Sequence, residues 1–363
     1  MTDVFSTRLA QIEKSLAIAL PATATAQWTR NSFDALPSAV TSTHLAHLIE
    51  PCKQLVDSGG KRWRPLLLVL CAENARAFYK ENMLLSADET YSLTPLIEFV
   101  HTASLIHDDI EDSSDTRRGK PAAYITYGLD IALNAASWLY FEASVCIDAL
   151  SIDNSAKAAF YALYTHELRA LHLGQAMDIM WHRNKQLFPA RDEYTAMVRH
   201  KTGTLASLAA QLGTAAGGAS IDEVKRAGQI AAALGEGFQI LDDVQNLTTG
   251  NPGKKRGDDI VEGKKSLPVL LHIQNNPNDK PLIAELFAQA ANGGIDAPAV
   301  EKCITLLTES GAVEQASTQG KQLITKNSSA LASLFGNQAN SEASHLIIDL
   351  FASMMKKQEI AHA

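Results

Sequence analysis

The chain has 363 residues, 46% of them hydrophobic, and its 40 acids against 32 Lys and Arg give a formal net charge of −8. That apolar content supplies a sizeable core, while the acidic balance and the absence of a basic stripe exclude a nucleic-acid binder. The four cysteines, Cys52, Cys71, Cys146 and Cys303, form no CxxC pair, which excludes a zinc knuckle or a disulfide framework and points to reduced, buried thiols in a cytoplasmic protein.

The first twenty residues, MTDVFSTRLAQIEKSLAIAL, lack a basic flank followed by a continuous apolar run, so they read as an amphipathic helix and not as a signal peptide. Residues 21–40, with their Pro, Thr, Ser and Asn, read as a linker. Beyond them, apolar residues recur at three- and four-residue steps over 92–110, 129–150, 156–182, 195–216, 223–247 and 265–274, the period of helices. Strand-like alternation never persists. Turns are expected at Ser58-Gly59-Gly60, Arg117-Arg118-Gly119-Lys120-Pro121, Ala216-Gly217-Gly218 and Gly250-Asn251-Pro252-Gly253, with a loop over Asn184–Asp192. No apolar stretch reaches the ~20 residues that cross a bilayer, so no transmembrane segment is expected. The expectation is an all-α fold: one helical bundle around a central apolar cavity, a single domain over 1–363, with a polar tail over 356–363 that frays.

Two acidic clusters sit on these helices. Asp108, Asp109 and Asp112 lie in LIHDDIEDSSDTRRGKPAA, and Asp242 and Asp243 lie in GFQILDDVQNL, where Asn246 stands in the place of a third acid. Positions i, i+1 and i+4 share a helix face, so each cluster aims its carboxylates one way. Like charges at that spacing oppose helix formation, and hard divalent cations such as Mg²⁺, shared with a phosphate-bearing substrate, are their natural counter-charge. Basic groups accompany them. Gly59-Gly60-Lys61-Arg62-Trp63-Arg64-Pro65 places two glycines before three cations and a helix-opening proline, a frame in which backbone N–H groups and cations can face an anion. A solvated basic loop is the ordinary alternative. Arg117-Arg118-Gly119 directly follows the first acids, and arginine's planar fork suits phosphate oxygens. Gln175 and Asp178 in LHLGQAMDIMW, Lys201-Thr202 in RHKTGTLA, Gln239, and the Lys-rich stretch from Lys254 to Lys265 complete the set.

Taken in order, GGKRWRP, EFVHTASLIHDDIEDSSDTRRGKPA, LHLGQAMDI, HKTG, GFQILDDVQN and GDDIVEGKKSLP resemble the trans-isoprenyl diphosphate synthases, or polyprenyl synthetases, over residues 44–275. The Asn ending of the second motif is similar to that of the geranylgeranyl diphosphate synthases. The resemblance implies the all-α isoprenoid synthase bundle, as a homodimer, condensing an allylic diphosphate with isopentenyl diphosphate to give geranylgeranyl or a longer polyprenyl diphosphate. It implies three Mg²⁺ ions on Asp108, Asp112 and Asp242, with Asp109 and Asp243 in support. Arg117, Lys201 and Lys264 would contact the allylic diphosphate. Lys61, Arg64, His101 and Arg118 would bind isopentenyl diphosphate, and Thr202 and Gln239 would steady positive charge at the reacting carbon. Asn246 removes one negative charge from the second motif, with a modest effect expected on metal binding.

Product length in this family is limited by side chains upstream of the first acids. Here the fifth and fourth positions before Asp108 are the small Ala103 and Ser104. A helix turn rises 5.4 Å, close to one isoprene unit, so these leave room beyond fifteen carbons; Phe99, Val100, Trp138, Tyr140 and Phe141 are candidates for the next barrier. The rival readings are a class I terpene cyclase, a long-chain synthase for quinone side chains, a regulatory subunit, and an HD-type phosphohydrolase built on His107-Asp108. Two basic sites argue against a cyclase, and two intact acid clusters argue against a regulatory subunit.

Overall fold

The computed structural model describes residues 3–250, 255–336 and 341–360. Apart from one two-stranded ladder, Thr116–Arg117 against Lys120–Pro121, the regular structure of these residues is helical. Asn251, Pro252, Gly253 and Lys254 of the expected turn and Lys-rich loop lie outside the described residues, as do 361–363 of the expected tail. The helix Glu342–Ile360 runs through the first part of that tail. Among the described residues no helix is long and apolar enough to cross a membrane.

Two compact units emerge. The first draws on Met1–His166, Leu208–Gly228 and Leu334–Leu346; the second draws on Glu167–Ser207, Gln229–Ser333 and Ile347–Ala363. In the first, the helix Trp63–Tyr79 carries the run LLLVLCA, apolar on every side, and accordingly Leu66 through Leu70 are all buried. Pro65 falls in its first turn, where a missing N–H costs nothing. The helix Thr94–Glu111 packs against Leu129–Glu142, where Ala132, Ala135 and Ala136 are fully covered and let the backbones approach. Residues 21–40 are more ordered than a plain linker. They contain the helix Ala26–Phe33, capped by the Thr25 hydroxyl, which accepts from Trp28 N at 3.1 Å. The Trp28 indole donates to Ala19 O at 2.9 Å and packs edge-on against Phe33 and Trp138. A tryptophan with an apolar body and one N–H to satisfy is enough to pin such a segment.

The second unit is built on a core that includes Trp181, Tyr194, Leu271, Phe287, Ile304 and Leu307. Close approach in this unit depends on three glycines. A Cβ at Gly174 would stand 2.3 Å from Lys201 N, one at Gly203 would stand 2.7 Å from Ala232 O, and one at Gly235 would stand 2.6 Å from Gly203 Cα. The segment they crowd is Arg199–Gly203, a single π turn between Arg191–Val198 and Thr204–Ala216. Such turns are rare and are frequent at functional positions.

Candidate active site

The first acidic cluster ends the helix Thr94–Glu111, with Asp112 as its C-cap. The chain then reverses through a hairpin pairing Thr116 with Pro121 and Arg117 with Lys120. Its two central residues, Arg118 (φ 53) and Gly119 (φ 75), both have positive φ, as a two-residue turn matched to strand twist requires. This reversal sends the two arginines to different partners. Arg117 returns to the aspartates: its Nε donates to Asp109 Oδ1 at 2.7 Å, its Nη2 also pairs with Asp109, and Asp108 Oδ2 is 3.6 Å away. Burial opposes the Arg117 charge, but the Asp109 hydrogen bond and the charges of Asp109, Asp108 and Asp112 hold its pKa above the ordinary guanidinium value. Asp109 is buried and thereby committed to Arg117, whereas Asp108 keeps part of its surface open.

Arg118 turns to the other basic motif. Its Nη1 donates to Leu55 O at 3.2 Å and to Gly59 O. Its guanidinium lies over Gly60, where a Cβ would come within 3.1 Å of it. Nearby, Arg64 Nη1 is 3.5 Å from His101 Nε2, and the Arg64 guanidinium stacks over Trp63 at 4.5 Å. His101 is driven well below its ordinary pKa by burial and then by Arg64, Arg118, Arg117 and Arg62, so it is a neutral ring among cations. Burial, with Arg62 and Arg117, also lowers Arg118. Cations close enough to lower both Arg118 and His101 are the electrostatic form of an anion site. Arg62 is the exception among the three cations of GGKRWRP: its side chain is buried, tied to Glu98 at 2.5 Å, Glu13 at 2.8 Å and Val56 O at 2.6 Å. Arg62 is structural, and Lys61, exposed, and Arg64 are the two left to face a ligand.

In the second unit, Asp242 is exposed and Asp243 is buried. Asp243 Oδ1 accepts from Gln239 Nε2 at 2.9 Å and Oδ2 from the Tyr194 hydroxyl at 3.1 Å, while Gln239 Oε1 accepts from Thr202 Oγ1 at 2.8 Å. Burial, followed by the charge of Asp259, pushes the Asp243 carboxyl up to about 7. Lys201, in the π turn, pairs with Asp178 at 2.6 Å. Lys264 pairs with Glu262 at 2.9 Å and Asp259 at 3.6 Å. Tyr194 was not singled out from the sequence, where nothing separates it from an ordinary helix residue, whereas Asp259 stands in the motif GDDIVEGKKSLP. Asn246 has a role its sequence position does not announce. Its side chain is fully buried, Oδ1 accepts from Asp259 N at 3.2 Å and Nδ2 reaches Lys255 O at 3.4 Å. It anchors the loop that carries Asp259 and Lys264.

Among the described residues no three His, Cys, Asp or Glu side chains form a cage that would hold a metal alone. The donors nevertheless suit magnesium. Each motif offers a carboxylate with open surface, Asp108 and Asp242, beside a buried, hydrogen-bonded one. Mg²⁺ typically takes only one or two carboxylates and completes its shell with water and substrate phosphate. The length-determining candidates lie on the Thr94–Glu111 helix: Ala103 is fully buried and Ser104 half-buried, its hydroxyl donating to His101 O at 2.8 Å. Of the outer candidates, Phe99 and Val100 are buried and Tyr140 stacks on His107 at 5.5 Å, but Phe141 is 76% exposed and forms no floor within this chain.

The polyprenyl synthetase family model matches residues 45–306. The chain is 34% identical over 263 residues to a geranylgeranyl pyrophosphate synthase of Neocamarosporium betae, covering 72% of this chain and 71% of the relative. It is 37% identical over 217 residues to geranylgeranyl pyrophosphate synthase dpmpD of Macrophomina phaseolina, covering 58% and 64%. The crystal structure of a geranylgeranyl pyrophosphate synthetase from Pyrococcus horikoshii Ot3 is similar in fold, with a TM-score of 0.78 at 25% identity over 96% of each chain. The chain belongs to the polyprenyl synthetase family and is a trans-prenyltransferase.

Proposed function

We propose that the chain joins an allylic diphosphate to isopentenyl diphosphate, head to tail, and that its product is geranylgeranyl diphosphate. The observation that carries this is the division of Arg117 and Arg118. One arginine serves the aspartates, and the other joins Arg64 and His101 in a separate cationic cluster. Two diphosphate substrates need two anion sites; a cyclase needs one. In this reading Arg117, Lys201 and Lys264 hold the allylic diphosphate, and Lys61, Arg64, His101 and Arg118 hold isopentenyl diphosphate. Magnesium, three ions on Asp108, Asp112 and Asp242 with Asp109 and Asp243 behind them, supplies charge neutralisation to the leaving diphosphate.

The allylic C–O bond breaks and its electron pair leaves with the diphosphate. The C3–C4 double bond of isopentenyl diphosphate attacks the allylic carbon, and a proton is lost to the released diphosphate. Thr202 donates its proton to Gln239, which leaves the hydroxyl lone pairs to face positive charge at that carbon. Surrounding apolar side chains keep water from quenching it. The two units act as one domain in this proposal, in a cytoplasmic homodimer. Support for the dimer comes from Ile125, Leu129, Leu133 and Phe141 of the first unit, which are 51%, 55%, 46% and 76% exposed and in this reading would be covered by a second copy.

The test is a product assay with labelled isopentenyl diphosphate and dimethylallyl, geranyl or farnesyl diphosphate, with and without Mg²⁺. Magnesium-dependent formation of a twenty-carbon product is expected. Consumption of the allylic diphosphate alone, with no chain growth, would overturn the proposal.

A further inference from the structure

A cavity of about 300 Å³ opens within the second unit, and of the residues placed in the site above only Tyr194 lines it. Its apolar lining is Tyr194, Ile240 and Leu267, all buried, with Leu323 half-buried, and Thr195, Gln319 and Gln322 add neutral polar groups. Its rim carries two exposed cations, Arg191 at the start of the helix Arg191–Val198 and Lys326 on the helix Ala312–Ala332. Arg191 bonds a neutral partner, Gln319 Oε1, at 2.5 Å. The one carboxylate on the wall, Glu236, is already neutralised by Arg199 at 2.7 Å. The cavity therefore combines two exposed cations with an apolar lining of four side chains. That combination recognises an amphipathic anion: an arginine fork and a lysine point charge for a dianionic head, and hydrocarbon contact for a short tail.

We propose that this cavity is a second ligand site, that it takes an organic phosphate with a short hydrocarbon tail, and that its occupant acts on the second aspartate motif through Tyr194. The size sets the tail: about 300 Å³ is the lower end of small-molecule pockets, too small for a twenty-carbon chain. The link to the aspartates is one residue long. Tyr194 lines the cavity and gives its hydroxyl to Asp243 Oδ2, whose other oxygen is held by Gln239. A ligand that shifts the ring shifts that hydrogen bond.

The probe is n-octyl phosphate, titrated calorimetrically into the full chain without magnesium and with saturating isopentenyl diphosphate, so that the cationic cluster of the first unit is occupied. One-site binding is expected. The double variant Arg191→Gln/Lys326→Gln and the cavity-filling Leu323→Trp should each weaken it by at least about tenfold, roughly 1.4 kcal/mol, while their unfolding midpoints and turnover without the probe stay those of the parent. Unchanged affinity in both variants, or no binding heat at millimolar probe, would overturn the site. The link to the aspartates rests on the proposed condensation activity and is read separately. The probe should alter turnover of the parent, and Tyr194→Phe should bind the probe normally while losing that response. A Tyr194→Phe enzyme that responds as the parent does would overturn the link and leave the binding result standing.

Discussion

Replacing Asn246 by aspartate, the residue that would make the second motif a third acid, is expected to destabilise the chain and not to strengthen metal binding. Asn246 is fully buried and spends its amide on the loop: Oδ1 accepts from Asp259 N and Nδ2 reaches Lys255 O. Aspartate can keep the first bond but turns the second into a contact between two acceptors, a loss of about 1–3 kcal/mol. It also adds a carboxylate to a volume in which Asp243, crowded by burial and Asp259, already titrates near 7 instead of its ordinary 3.8. A second buried carboxylate there should likewise be pushed up towards its protonated form and cost several kcal/mol when ionised. The sign follows from linkage. A carboxyl whose folded pKa is raised binds more protons in the folded state, so its cost is absent below about pH 4, grows as pH rises through the window between the unfolded and folded values, and is complete above the folded one. Urea unfolding without magnesium should therefore show Asn246→Asp close to the parent at pH 4, apart from the lost donor, and several kcal/mol less stable at pH 8. Equal stability loss at both pH values, or a gain in magnesium affinity with no loss at all, would refute the assignment of Asn246 as a loop anchor.

Other perturbations follow from the same geometry. Glu142, buried with Ser32 as its hydrogen-bond partner, is pushed up to about 7 by burial; its raised pKa lowers stability as pH rises from about 4.5 to 7, so Glu142→Gln should gain up to about 3 kcal/mol over the parent at pH 8 and little at pH 4, measured by thermal unfolding. Gly174→Ala places a methyl carbon 2.3 Å from Lys201 N, which must displace the π turn; kcat should fall by about tenfold or more, since a misplaced catalytic group costs orders of magnitude, while circular dichroism stays helical. Ala103→Phe and Ser104→Phe should each shift product towards fifteen carbons in a chromatographic assay. Because Ala103 is fully buried and Ser104 is not, only Ala103→Phe should also lose about 1–3 kcal/mol to overpacking. Gly60→Ala strains a residue at φ 150 and pushes against the Arg118 guanidinium, so it should raise KM for isopentenyl diphosphate more than KM for the allylic substrate.

How far the sequence reaches into this molecule depends on the range over which each signal acts. Helix periods, the aspartates at i, i+1 and i+4, and the Gly-rich turns are set by neighbours a few residues away, and they are legible. The family motifs are legible as an ordered set. What could not be read is set by partners distant in the chain. Lys61, Arg62 and Arg64 are equivalent as letters, but Glu13 and Glu98 lie 49 and 36 residues from Arg62, and only their positions in space show that it is the cation withdrawn into the structure. Gly174, Gly203 and Gly235 are single glycines in helices, each ordinarily a cost of about 1 kcal/mol; their reason is backbone contact among three segments. The helix over Ala26–Phe33 was hidden because its polar composition resembles a linker, and its order comes from Trp28 reaching Trp138.

The two acid motifs also show why a count of carboxylates is a poor guide to a metal site. Each contains adjacent aspartates, and in each the second of the pair is buried and held by hydrogen bonds: Asp109 by Arg117, Asp243 by Gln239 and Tyr194. The first of each pair, Asp108 and Asp242, retains open surface. The expectation that positions i and i+1 share a face does not hold: adjacent helix positions point about 100° apart, and each DD pair holds one carboxylate open and roots the other in the protein. Rooting tunes the outward acid as outer-shell partners tune metal ligands. Charge-neutral substitution should therefore divide the pairs by kind. Asp108→Asn and Asp242→Asn should abolish magnesium-dependent turnover and leave unfolding almost unchanged. Asp109→Asn should lose stability as well, because it removes the carboxylate that the half-buried Arg117 holds most closely and leaves it the more distant Asp108, a loss of about 1–3 kcal/mol. If Asp108→Asn proved as destabilising as Asp109→Asn in urea unfolding, the division of labour within the motif would fail.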